Sequence, residues 1–335
     1  MKKDVYILGI ESSCDETSCS IVKNGTEDIS TVILSQIDIH TLYGGVVPEI
    51  ASRNHVKDVT FVIDKCIKDS GLTIKDIDAV AVTYGPGLIG SLLVGLEAAK
   101  TFAYVNDLPL IAVHHIAGHI YANNIEKPMQ FPLIALVISG GHTNLIYMKD
   151  HFSFEEIGGT LDDAVGECYD KVARVVGIGY PGGPVVDRLA HTGKDVYNLP
   201  IPLNDDSFNF SFSGLKSAVI NLVHNCEQRG EEINKEDLCA SFQKVVVESL
   251  TEKTIHALKK YNCNNLILAG GVAANSGIRE SFIKKSKEYG FNFSYPSIKY
   301  CTDNATMIAS AGYYMYKNKE YATLDLNAKS SDLLK

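Results

Sequence analysis

His114-His115-Ile116-Ala117-Gly118-His119 is the stretch of this sequence best equipped for chemistry. His115 and His119 are four residues apart, so on a helix their imidazoles share one face and can reach one divalent cation. The helical HExxH zinc pattern has the same spacing but places a Glu directly after the first His as general base. Here that place holds Ile116. The two-imidazole geometry is present and the base of a peptidase is missing. Ordinary helix-start histidines would give the same string. A third donor is on offer at Asp303, in Cys301-Thr302-Asp303-Asn304. It either caps the helix expected at 305–317 or completes a His-His-Asp set suited to zinc or iron(II).

Two hairpins carry a second kind of chemistry. An apolar strand at 5–10 runs into the polar turn 11–18 and a second strand at 19–22. The strand at 131–138 turns at Ser139-Gly140-Gly141-His142-Thr143 into another at 144–148. Small hydroxyl residues and turn N–H groups can cradle phosphate oxygens, and carboxylates such as Glu11 and Asp15 can hold a cation beside them. An exposed hairpin turn would use the same residue types. Two hairpins of one design, each opening one half of the chain, suggest an internal duplication.

The elements that must position these residues alternate between apolar strands and helices. The strand at 77–82 ends in Tyr84-Gly85-Pro86-Gly87, and the strand at 265–269 ends in Gly270-Gly271 ahead of Asn275 and a helix at 276–288. Each strand–glycine–helix join lets a phosphate or a flat base approach the backbone, although close helix packing accounts for the glycines as well. Neither is a GxxxxGK[ST] loop. Asp170 lies on a helix whose far end is closed by Tyr180-Pro181-Gly182-Gly183-Pro184, followed by Asp187. Such carboxylates can accept from ribose hydroxyls, or Asp170 can pair with Lys171 or Arg174. Arg53, His55 and Lys57 read as a solvated helix face, as do Arg279, Lys284, Lys285 and Lys287, and 330–335 reads as a fraying end.

At 335 residues the chain predicts two domains, and 45% apolar with 21% charged residues suits a globular protein. No apolar run approaches the ~20 residues of a membrane span. The start, Met1-Lys2-Lys3-Asp4, enters a strand at once and leaves no room for a signal peptide. Eight scattered Cys without a CxxC pair read as reduced thiols in a cytoplasmic protein. The net charge of −9 argues against a chain that grips nucleic acid by itself.

GIESSCDETS, YGPGLIGSLLVG, HHIAGH, VISGGHTNL, GECYDK with YPGGP, LAGGVAAN and CTDNATMIA occur in one order over nearly the whole chain. That set closely resembles the tRNA N6-adenosine threonylcarbamoyltransferase family (TsaD type, once labelled O-sialoglycoprotein endopeptidase). The resemblance implies an α/β, two-lobed fold of the actin, Hsp70 and sugar-kinase (ASKHA) class, with duplicated lobes and a central cleft. The lobes would be 1–126 plus about 305–335, and 127–304. It implies transfer of threonylcarbamoyl from threonylcarbamoyl-adenylate to N6 of the adenosine 3′ of the anticodon in tRNAs reading ANN codons, with release of AMP. It implies one divalent metal, iron(II) ahead of zinc, on His115, His119 and Asp303. The adenylate would be bound by Val137, Ile138, Ser139, Gly140, Gly141, Asp170, Gly183, Asp187 and Asn275. Gly270 and Gly271 would flank the base, and Glu11 and Asp15 match the first turn without an assigned role. The implied partners are tRNA, a paralogous protein of the same fold and a small P-loop ATPase. Many relatives carry Glu where this chain has Ala117; the departure bears on any role of such a Glu beside the metal and leaves the ligands untouched. A metallopeptidase and a phosphotransferase of the same fold class are the alternatives. The first lacks its Glu, and two histidines on a metal are foreign to the second.

Overall fold

The computed structural model describes residues 4–334, so the first three residues of the expected entry into the opening strand, and Lys335, lie outside the described residues. The chain forms two compact units, one of 1–129 with 296–335 and one of 130–295. The return to the first unit at Pro296 comes earlier than the expected 305 and puts Asp303 in the same unit as His115 and His119.

In the first unit β1 (Tyr6–Glu11), β2 (Glu16–Lys23) and β3 (Glu27–Ser35) form an antiparallel meander. A short α1 (Ile37–Thr41) and a long α2 (Pro48–Ser70) follow. Next come β4 (Ala79–Gly85), α3 (Ile89–Val105), β5 (Leu110–His114) and α4 (His115–Tyr121). The sheet order is β3-β2-β1-β4-β5, with β1, β4 and β5 parallel. The central strands are covered on both faces, which is why they read as unbroken apolar runs. Leu8, Ile10, Cys19, Ile21, Val80, Val82, Leu96 and Ala99 form the core there.

The second unit repeats the plan. Strands β6 (Leu133–Ile138), β7 (Thr143–Met148) and β8 (Phe154–Gly159) are the meander. Four helices follow, α5 (Val165–Val176), α6 (Gly182–Ala190), α7 (Ser213–Arg229) and α8 (Lys235–Lys260). Strand β9 (Asn265–Ala269), α9 (Ser276–Tyr289) and β10 (Asn292–Ser294) complete it, and α10 (Ala305–Asn318) belongs to the first unit. Read from its outer meander strand, the second sheet is β8-β7-β6-β9-β10, with β6 parallel to β9 and β9 to β10. The order matches the first sheet position for position, as the duplication read from the two hairpins requires.

Three local expectations are corrected. Strand β2 starts at Glu16 rather than 19, because the meander pairs Glu16 with Ser35 and Thr17 with Leu34. His55 is fully buried rather than solvated: α2 packs on β2, and the ring sits between Thr17 Oγ1 (2.7 Å) and the Cys14 carbonyl (2.9 Å). Residues 330–332, expected to fray, are tied down: the Ser330 carbonyl accepts from Gly87 N and the Asp332 carboxylate from Tyr84 Oη. No helix of the described residues is long and apolar enough to cross a membrane.

Candidate metal and nucleotide sites

β5 delivers the chain into α4 at His114, whose Nδ1 accepts from Ile116 N and caps the helix. His115 and His119 then stack edge to face, ring centroids 4.6 Å apart. Helix α10 is pressed onto the same place. A Cβ on Gly9 would meet the Ala305 carbonyl at 2.4 Å, so that position needs glycine for this approach, and one on Gly118 would meet the tip of the Ile308 side chain, Cδ1, at 2.6 Å. Asn304, not Asp303, caps α10 by accepting from Met307 N. That leaves the Asp303 carboxylate turned to the imidazoles, 3.5 Å from His115 Nε2 and 3.2 Å from His119 Nε2.

One ligand atom from each of the three residues lies within 4.8 Å of the others. The two carboxylate–imidazole distances are close to the edge of about 3.4 Å that a tetrahedral ion with bonds of 2.0–2.1 Å requires. Glu11, fully buried at the end of β1, places Oε2 3.2 Å from His115 Nδ1 and also accepts from Thr83 Oγ1 and Ser13 N. A carboxylate on the outer imidazole nitrogen leaves the Nε2 lone pair for a metal. Burial would depress His115, but Asp303 and Glu11 outweigh it and hold the metal-free ring up at about 9. Burial, then Asp303 and Asp15, push Glu16 well above the usual carboxylate range. A divalent cation would relieve that crowding of carboxylates, so the residues fit one. Ala117 is buried in α4. His119 Nδ1 is buried and has no hydrogen-bond partner among the described residues.

The nucleotide candidates converge in the second unit. Ser139 leaves β6 with its N–H on the His142 carbonyl, and the start of α5 abuts it through Gly166 N on the Ser139 carbonyl. Gly270, with φ of 90°, folds the end of β9 against Ile138, where a Cβ would meet its carbonyl at 2.3 Å. Asp170 accepts from Gly182 N at 2.7 Å and so holds the start of α6 on α5. Lys171 pairs with Asp163 and Glu167 instead of Asp170. Burial raises Asp170, opposed by the Gly182 and Gly183 N–H groups. Asp187 accepts from Ser276 N (2.8 Å), Ser276 Oγ (2.7 Å) and Gln243 Nε2 (2.8 Å), tying α6 to the start of α9. Asn275 caps α9 through Ile278 N and donates to Gln243 Oε1 at 3.0 Å. Val137 and Ile138 are buried at the end of β6, directly before the turn.

Gly140, Gly141, Gly183 and Gly271 share a property. None has a positive φ, and a Cβ on any of them would meet nothing within 4 Å. Neither backbone conformation nor packing inside the protein asks for glycine there. A bound group lying against the main chain would. The starts of α5, α6 and α9 lie beside these residues, and helix N-termini favour an anion. Gln243 and Tyr169, which link Asp187 to Asn275, were not singled out from sequence. The only local hint of Gln243 is a polar residue inside the buried run of α8. Arg279 is not on a solvated face, since it donates to the Ala273 carbonyl and braces the Gly271–Ala274 turn.

The family model described as tRNA N6-adenosine threonylcarbamoyltransferase (TsaD) matches residues 27–310. The chain belongs to this family. A relative of that name from Staphylococcus carnosus is 57% identical over 332 residues, covering 99% of this chain and 97% of its own. Another, from Staphylococcus saprophyticus, is 58% identical over 328 residues, 98% and 96% of the two chains. Among solved structures, full-length HypF in its phosphate- and nucleotide-bound form superposes with a TM-score of 0.63 at 16% identity, over 96% of this chain and 48% of that one. Component A of the Acidaminococcus fermentans (R)-2-hydroxyglutaryl-CoA dehydratase gives 0.54 at 15% identity, over 94% and 99%. These likenesses establish the fold class, the two-lobed actin-like one. The family membership does not favour the metallopeptidase or phosphotransferase alternative.

Proposed function

We propose that this chain transfers the threonylcarbamoyl group of threonylcarbamoyl-adenylate to N6 of the adenosine 3′ of the anticodon in tRNAs reading ANN codons. The reading is carried by the full-length match to relatives of that name, 57% identical over 99% of the chain. The N6 nitrogen forms a bond to the carbamoyl carbon, the bond from that carbon to the phosphate oxygen breaks, and AMP leaves as N6 gives up one proton. The acyl carbon is already activated by its phosphate leaving group. The protein must add orientation and charge stabilisation, for which no covalent intermediate is needed.

His115, His119 and Asp303 would hold one divalent ion, iron(II) ahead of zinc, with Glu11 orienting His115. Such an ion, when bound, supplies Lewis-acid charge to oxygens of the acyl donor. Ser139 and the Gly140 and Gly141 amides would bind the phosphate, beside the start of α5. Asp170 would accept from the ribose. Asp187, already holding four donors on Ser276, Gln243 and Gly277, reaches a ribose hydroxyl only by sharing them, and otherwise serves to seat α9. Gly270, Gly271 and Asn275 would flank the base.

tRNA is the acceptor, yet the chain carries a net charge of −9. A paralogous partner of the same fold and a small P-loop ATPase would supply the remaining grip on RNA. The exposed side chains of Leu42, Tyr43, Val56 and Phe61, in and beside 46–62, suit an apolar partner face on α2. The test is product formation by purified chain with threonylcarbamoyl-adenylate and tRNA, alone and with those partners at matched salt. Modified tRNA with release of AMP is expected, with multiple turnovers only in the partnered reaction. No product under either condition would overturn the activity, and full turnover by the chain alone would overturn the need for partners.

A further inference from the structure

The segment after α10 is held on the first unit by contacts that end at the metal-ligand helix. Lys329 N bonds to the Tyr84 carbonyl and Gly87 N to the Ser330 carbonyl. Asp332 closes the run. Its carboxylate accepts from Tyr84 Oη at 2.7 Å and from Lys329 Nζ at 3.1 Å, and its main-chain carbonyl lies 3.3 Å from His114 Nε2. On its other side the His114 ring uses Nδ1 to accept from Ile116 N at 3.2 Å.

A neutral imidazole has one donor and one acceptor nitrogen. Because Nδ1 accepts from the helix, Nε2 carries the hydrogen, and the Asp332 carbonyl is the acceptor in front of it. That carbonyl selects the tautomer able to cap α4, the helix bearing His115 and His119. A second route reaches the same place. Gly87, bonded to Ser330, leads to Leu88 N on the Ser13 carbonyl at 2.8 Å, and Ser13 Oγ is 3.1 Å from His115 Nδ1.

We propose that residues 329–332 form a positioning strap for the metal site, acting through Asp332 and His114 on the start of α4. The proposal rests on the metal reading above. His114 and Asp332 are positioning residues, and neither is counted among the ligands.

The test measures Zn2+ affinity by competition with a chromophoric chelator, alongside thermal unfolding of the metal-free proteins. The chain ending at Ser330 and His114→Ala should each bind Zn2+ about tenfold more weakly, as loss of an outer-shell partner does. The two changes combined should cost no more than either alone. His114→Asn, whose side-chain oxygen caps a helix without a choice of tautomer, should abolish the sensitivity to shortening. If the shortened chain does not fold, Tyr84→Phe supplies the test, with a smaller loss in the same direction. Unchanged affinity in the folded variants, or fully additive losses, would overturn the strap. Equal Zn2+ affinity in the unaltered chain and in His119→Ala would overturn the metal reading itself, and the strap with it.

Discussion

Glu11 and His115 are 104 positions apart in sequence, and Glu11 Oε2 lies 3.2 Å from His115 Nδ1. The carboxylate has no contact with solvent and is held by Thr83 and Ser13 as well. It therefore orients the ring and adds to its basicity. Glu11→Gln keeps the volume and removes the charge, and should weaken metal binding by about 10- to 100-fold. Chelator competition reads this directly. Native affinity in the variant would leave Glu11 a structural residue only.

The donor set makes a simpler claim. Elemental analysis of the purified chain should find one divalent ion, and His119→Ala or Asp303→Ala should lose it. Metal content equal to that of the unaltered chain would sink the assignment.

Two adjacent glycines separate packing from binding. A Cβ on Gly182 would meet Ala173 Cβ at 2.6 Å and the Tyr169 carbonyl at 2.7 Å, whereas one on Gly183 meets nothing. Gly182→Ala should lower the unfolding temperature. Gly183→Ala should leave stability unchanged or raise it by about 0.5 kcal/mol through helix propensity, while weakening AMP or ATP binding. Asp170→Ala should also weaken that binding. Calorimetry that finds native nucleotide affinity in both Gly183→Ala and Asp170→Ala would move the site elsewhere.

His55 predicts a pH dependence of stability. Burial lowers its pKa below the ordinary value, and its two hydrogen bonds, accepting from Thr17 and donating to Cys14, suit the neutral ring. The folded chain then binds fewer protons here than the unfolded chain, whose imidazole titrates at about 6.5. The stability due to neutral His55 is present above that value and is lost as pH falls through it toward the folded one. The unfolding midpoint should drop between pH 7.5 and 5.5, and His55→Gln should shrink the drop. An equal drop in the variant would assign it to other groups.

What the sequence determined by itself was local or repeated. The spacing of His115 and His119 is a property of one helical turn, so their shared face needed no knowledge of the fold. The two hairpins announced the duplication that the two sheets display, because each encodes its own strands and turn. Seven motifs in one order pointed to the family whose model matches residues 27–310. The tertiary structure decided whatever depends on which surfaces meet. Asp303 could have been a cap or a ligand until Asn304 took the cap and α10 was pressed onto α4 at Gly118. His55 looked solvated because burial is set by β2, which lies far off in sequence. Glu11, Gln243 and Asp332 took up their places for the same reason. Hydrogen bonds between residues distant in sequence leave no periodic trace along the chain, and only packing brings their partners within 3 Å or so.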